Sequence, residues 1–244
     1  VVSSLAGLFL TRPLVRRLLG ASGQYNDVVS WVFAGIGVFY GLALGLIAVG
    51  TWENFSGVDA QLSKEVASIA ALYNDLDGYP QPLRTKLEDS LRTYTRFIVE
   101  QDWPAHRKGK RNDEGTRMLH AFEDVVMEFE PTREREKIIH AEVIKSLDEV
   151  VEARRLRLGA VSTGLPAALW AVVLLGAVLN TTLLYLFWVE NVPLHALLVA
   201  IFATFIALLL FLTAAMDNPF RGHFSVSPDG YQDLLDTEMK PAAV

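Results

Sequence analysis

The chain has 244 residues, a formal net charge of −6 and no cysteine. That length fits one or two domains, the acidic balance argues against nucleic acid as a partner, and disulfides are excluded. Long uncharged runs alternate with one strongly charged block, the pattern of an integral membrane protein with a polar helical domain.

Residues 1–10 are apolar and precede Thr11-Arg12-Pro13 and Arg16-Arg17. A signal peptide carries its positive charges before the apolar stretch, so 1–10 reads as the last part of a first transmembrane helix. Residues 12–27 form a short link, with Gly20 and Gly23 as breakers and Ser22 and Asn26 as candidate helix caps. The run 28–51, VVSWVFAGIGVFYGLALGLIAVGT, holds no charge. As a helix it spans roughly 35 Å, enough for a bilayer core of about 30 Å. Gly35, Gly37, Gly41, Gly45 and Gly50 mix in it with Trp31, Phe33, Phe39 and Tyr40. Five glycines weaken a helix, so they point to close packing or to a water path. Gly41 and Gly45 form a small-xxx-small pair for helix association. A pore-lining helix uses small residues to leave room for ions and aromatics to narrow the path. Trp31 and Trp52 suit the two membrane interfaces.

A charged block follows. Ser56 or Asp59 is expected to cap a helix running to about Asp77, with Leu62, Val66, Ile69, Tyr73 and Leu76 on one face. Gly78-Tyr79-Pro80 ends it. The next helix starts near Pro82, carries Leu83, Leu87, Leu91, Tyr94 and Ile98, and is expected to stop at Trp103-Pro104. Residues 106–115 read as a charged loop. A third helix, 116–129, presents Leu119, Phe122, Val126 and Phe129. After Pro131 a long helix runs from Thr132, without a capping glutamate three residues on, and places Ile139, Val143, Leu147, Val150 and Leu158 inward. Narrow apolar stripes on charged helices mean helices packed on each other.

Residues 159–189 are uncharged. Gly164 and Pro166 mark a junction before a third span at 167–188, Glu190-Asn191-Val192-Pro193 is a turn, and 193–216 is a fourth span with His195 near its start. The prediction is an all-α, four-span membrane protein with a helical soluble domain inserted between spans two and three. Spans one and two occupy 1–51, the domain 52–158, spans three and four 159–216, and a polar tail 217–244. With four spans the domain and the tail share one side, and the links 12–27 and 190–193 the other. Arginines on both sides leave the orientation open.

Three features converge on a family. The second span contains Val38-Phe39-Tyr40 and ends in Thr51-Trp52-Glu53-Asn54-Phe55; one helical domain sits between spans two and three; and Asn218-Pro219-Phe220 follows span four. This resembles the bestrophins, and more closely a bestrophin-like family of bacterial membrane proteins. The resemblance implies a pentameric ion channel whose second span forms the pore neck and whose helical domain is cytoplasmic, here in a multi-pass protein of the cell inner membrane. Aligning Phe39-Tyr40 with the neck puts Trp31, Gly35 and Phe39 on one face and makes Phe39 the constriction. Gly35 stands where the family has an aromatic residue. Animal bestrophins follow Asn-Pro-Phe with an acidic calcium clasp; Arg221-Gly222-His223-Phe224-Ser225 has no such carboxylates, so no calcium site is expected.

The expected partners are the lipid bilayer, further copies of the chain and permeant ions. No cofactor or metal is expected, because the five histidines lack metal-ligand spacing. No nucleophile set or phosphate loop supports an enzyme. Asn180, Thr181 and Thr182 are expected to bond between helices. A membrane-anchored sensor or scaffold is the alternative function, but an anchor needs no glycine–aromatic span. Over 51–158 there are 17 Lys and Arg against 21 Asp and Glu, and the tail adds more acid. An acidic vestibule concentrates cations, which leans the expectation to a monovalent-cation path with Glu53 as its charged filter.

Overall fold

The computed structural model describes residues 1–20, 23–222 and 224–240; the candidate cap Ser22 and His223 lie outside them. The described residues are all-helical, with no strand. They divide into two units, Val1–Glu53 with Gly164–Asp217, and Asn54–Thr163 with Asn218–Val244.

The first unit contains α1 (Val2–Leu19), the first half of α2 (Asn26–Asp75), α7 (Ala167–Leu186) and α8 (Val192–Asp217). Three helices, α2, α7 and α8, are long and apolar enough to cross a membrane. The helix α1 runs on through Arg12 and Pro13 to Leu19, so most of the expected link is helical. Its Arg12 reaches polar partners at one end of the unit. Arg12 Nη2 donates to Val189 O at 2.8 Å, and its guanidinium lies 5.0 Å from the Trp188 ring centroid. Beside it, Asn26 Nδ2 donates to Trp188 O and Asn26 Oδ1 accepts from Trp188 N, both at 2.9 Å. Arg12 of α1, the start of α2 and the α7–α8 turn thus lie together.

Close approach inside this unit is made by two glycines other than the expected pair. A Cβ on Gly176 would stand 2.3 Å from the Tyr40 ring, and one on Gly7 would stand 2.7 Å from Tyr185 Oη. Tyr40 OH donates to Val173 O at 3.1 Å, and Tyr185 OH to Ser4 O at 2.7 Å. Gly41 and Gly45 have nothing within 4 Å, so they pack no helix of this chain. The polar residues of α7 also differ from expectation. Asn180, Thr181 and Thr182 donate to Gly176 O, Ala177 O and Val178 O of their own helix. The i−4 carbonyl is the nearest acceptor for a short polar side chain in an apolar bundle.

The second unit holds the rest of α2, α3 (Leu83–Phe97), a π-turn at Ile98–Asp102, α4 (Trp103–His106), α5 (Glu114–Met127), α6 (Glu134–Ala160) and α9 (Asp229–Thr237). Its core is made of the predicted stripes: Leu62, Ile69, Leu76, Leu87, Leu91, Leu119, Phe122, Val143 and Leu147 are all buried. Three local expectations fail for physical reasons. No break separates span two from the next helix, because Ser56 and Asp59 cap only where the chain leaves the helix, and no proline forces it out. Trp103-Pro104 does not end the helix that carries the Leu83–Ile98 stripe. The wider π-turn just before it lets the helix pass a residue without N–H. The start of α6 does have a capping glutamate, one residue later than the usual spacing from Thr132. Glu136 accepts from Arg133 N at 3.0 Å and Thr132 N at 2.9 Å, and those bonds hold its carboxyl below the ordinary range. Within the segment read as a polar tail, α9 buries Tyr231 and Leu234, and Met239 behind it is also buried.

Candidate pore face and a buried charge cluster

At about 100° per residue, Trp31, Gly35, Phe39, Leu46, Val49 and Glu53 fall within an arc of about 80° on α2. All six are exposed, Trp31 by 81% and Phe39 by 77%. The residues of α2 that pack inside the first unit lie on the opposite side. Phe33 meets Phe187 and Phe202 at ring centroid distances of 6.0 and 5.5 Å, Tyr40 enters the Gly176 slot, and Leu44 and Thr51 are buried. One helix thus has a narrow packed side and a broad bare one. The four candidate pore residues, Trp31, Gly35, Phe39 and Glu53, share the bare side. Large apolar side chains left this open mark a surface for lipid or for other chains.

In the first unit His195 is buried and contacted by Arg12 Nη1 at 3.4 Å through Nδ1. A guanidinium only donates, so Nδ1 carries the lone pair and Nε2–H donates to Leu184 O at 3.1 Å. Asp217, at the end of α8, accepts from Trp170 Nε1 at 3.1 Å and from Leu165 N, and so fixes the start of α7.

The second unit contains a site that the sequence reading missed. Glu65, Asp102, Arg154 and Arg157 are all buried. Arg157 Nε donates to Glu65 Oε2 at 2.8 Å, and both its terminal nitrogens reach Asp102 Oδ2 at 3.3 Å. Arg154 Nη1 donates to the same Oδ2 at 2.8 Å and its Nη2 to Asn112 O at 3.0 Å. Tyr231 OH adds a bond to Glu65 Oε2 at 2.9 Å. Two carboxylates and two guanidiniums cancel, which is how four charges can leave water together. Burial alone would lower the Arg157 pKa; the Glu65 carboxylate, with Tyr231 and Tyr94, reverses this and raises it. Burial, and then Glu65, pushes Tyr231 well above the usual phenol range. Gly115 leaves room for Arg154: a Cβ there would stand 2.6 Å from Nη2. The signal was present in the sequence, because Glu65 falls between Leu62 and Ile69, and Arg154 and Arg157 follow Val150, on otherwise apolar faces.

Phe220 of the Asn218-Pro219-Phe220 motif seats against this cluster. It is 1% exposed, with its ring centroid 5.5 Å from that of Trp103 and 5.4 Å from that of His106. Val226 N donates to Pro219 O at 2.8 Å and Arg221 N to Asn218 O at 2.9 Å, so the motif is a turn that aims Phe220 inward. Among the described residues no group of three or more His, Asp or Glu could hold a metal ion.

His106 is fully buried, and Arg157 Nη1 lies 3.4 Å from its Nδ1. Burial, followed by the charge of Arg157, lowers its pKa from 6.5 to about 4. Below pH 6.5 an unfolded imidazole takes a proton that the folded one refuses until about pH 4. Stability is therefore complete above pH 6.5 and falls as the pH drops through that window, by up to about 3 kcal/mol. Denaturation midpoints between pH 4 and 7.5 should show this slope, and His106→Gln should flatten it. An unchanged slope would place the titration elsewhere.

A bestrophin-like domain model matches residues 1–231. The chain belongs to the bestrophin-like family. Bacterial bestrophin homologues from Klebsiella pneumoniae share the fold. A single-substitution variant is 14% identical with a TM-score of 0.72, covering 96% of this chain and 97% of its own. A structure of the homologue phased on zinc is 14% identical with a TM-score of 0.71 and the same coverage. A further solved membrane-protein chain is 13% identical with a TM-score of 0.73, covering 99% of both chains. No curated protein matches. This bestrophin-like protein is thus a membrane protein with, at the family level, the fold of a bestrophin-type ion channel.

Proposed function

We propose that this bestrophin-like chain is a four-span protein of the inner membrane that assembles as a homopentamer, with α2 nearest the axis and its bare side lining the ion path. The observation that carries the reading is the exposure of Trp31, Gly35, Phe39 and Glu53 on one arc of α2 in the single chain. A ring of subunits turns such a face toward an axis, where apolar and small residues set the width. Phe39 is the constriction, and Gly35 leaves the level above it wider. In this reading the helical domain is cytoplasmic. Its acidic balance, with a ring of Glu53 carboxylates at the end of the path, favours monovalent cations.

Mass photometry of the purified protein should give five chains; a monomer or dimer would remove the central pore. In liposomes Phe39→Ala should raise flux while the oligomer stays intact, and unchanged flux would take Phe39 out of the neck. The reversal potential in a salt gradient should follow the cation, with Glu53→Gln moving it toward the chloride equilibrium potential. A wild-type value already at chloride would reverse the selectivity. For the orientation, Lys108→Cys in this cysteine-free chain should resist an impermeant thiol reagent added to intact cells, and rapid labelling would place the domain outside.

A further inference from the structure

A cavity of about 420 Å³ opens between the start of α5 and the last turns of α6, within the second unit. Arg111, Arg154 and Arg155 line it with the Thr116 hydroxyl, His120 and a single carboxylate, Asp113. Leu119, Val151 and Leu158 give it an apolar wall. Two arginines at its border have no carboxylate partner among the described residues. Arg111 Nη2 donates to the neutral Ser162 Oγ at 2.7 Å, and Arg155 makes no ion pair among the described residues. Arg154 shares its only carboxylate oxygen, Asp102 Oδ2, with Arg157. The cavity therefore has an excess of guanidinium over carboxylate, and a volume within the range of small-ligand sites.

We propose that this cavity binds a phosphate ester, with the anion on Arg111 and Arg155 and the organic part on the Leu119–Val151–Leu158 wall. Guanidinium forks match phosphate oxygens in pairs, which a lysine cannot do. A volume of 420 Å³ is larger than a bare phosphate needs, and the apolar wall suits a glycerol or similar carbon body. That chemistry has two sources, the headgroup of an anionic membrane lipid and a free phosphate ester. The site shares no residue with the proposed ion path and stands whether or not that path is as proposed.

The test uses the full chain in detergent. Native mass spectrometry titrates phosphatidylglycerol against phosphatidylcholine, and calorimetry titrates glycerol phosphate and inorganic phosphate. The expected result is one saturable site per chain for phosphatidylglycerol or for glycerol phosphate. Arg111→Gln with Arg155→Gln should weaken it about tenfold or more, and Arg96→Gln, in another groove, should not. Binding of the lipid alone assigns the headgroup, and binding of glycerol phosphate alone assigns the free ester; both support the site. Because Arg111 and Arg155 are exposed, the double variant should melt with the parent. Should it melt early, Arg155→Lys, which keeps the charge and loses the fork, replaces it and should also weaken binding. Absence of saturable binding, or binding that survives these changes, overturns the proposal.

Discussion

Arg157→Ala is expected to destabilise the protein by about 3–5 kcal/mol, the range for stripping one member from a buried ion pair. The alanine removes three donors at once. Glu65 Oε2 is left with Tyr231 OH alone, and Asp102 Oδ2 with Arg154 alone. Two buried carboxylates then face a single guanidinium, that of Arg154, which bonds Asp102 and not Glu65. Arg157→Lys should recover only part of the loss, because an ammonium cannot bridge Glu65 and Asp102 with a planar fork. Adding Glu65→Gln to Arg157→Ala should cost less than the two single losses together, since it removes the charge that the first change stranded. Denaturant midpoints of the four proteins test this. Strict additivity would mean that Glu65 and Arg157 do not interact in the folded state.

Phe220→Ala should cost about 3–5 kcal/mol as well, by a different route. The ring is 1% exposed and wedged between Trp103 and His106, so its removal leaves a void that anchored neighbours cannot fill. The void adjoins His106, so water entering it would also let that imidazole take a proton more easily. Phe220→Ala should therefore shift the pH window of stability upward besides lowering the melting temperature. Phe220→Leu, which keeps most of the volume, should lose about 1–1.5 kcal/mol and leave the window in place. A small loss for the alanine variant would mean that the turn at Asn218-Pro219 does not depend on its phenylalanine.

The sequence was most informative where one periodicity acted alone. Leu87, Leu91, Tyr94 and Ile98 are buried because each sits on the face that a 3.6-residue repeat predicts. It was least informative where a residue had two possible uses. Ser56 and Asp59 are good caps, but capping needs a chain that turns away, and α2 continues to Asp75. Pro104 ends most helices, but a π-turn absorbs it here. Glu65, Asp102 and Arg157 escape a reading by apolar period, because charged residues carry no weight in it. Their place on apolar stripes needed mutual pairing to make sense, and pairing between residues 65, 102 and 157 is a tertiary fact. Tyr231 and Leu234 were hidden for the reverse reason, since nine residues among many acids hold too few apolar positions to set a period. For the pore candidates the alignment of Trp31, Gly35 and Phe39 on one face was legible, because it follows from helix geometry.

Two groups of glycines in the first unit offer a way to separate two defects that usually look alike. Gly7 and Gly176 are already filled by tyrosine rings of the same chain, so a methyl group there harms the folded subunit itself. Gly35, Gly41, Gly45 and Gly50 face open space, and a methyl group meets nothing that this chain supplies. Alanine at those four positions even favours the helix, by about 1 kcal/mol each in water. Any damage it causes is then imposed from outside the polypeptide, by a neighbouring subunit or by lipid. A scan of these glycines sorts faulty folding from faulty assembly one residue at a time.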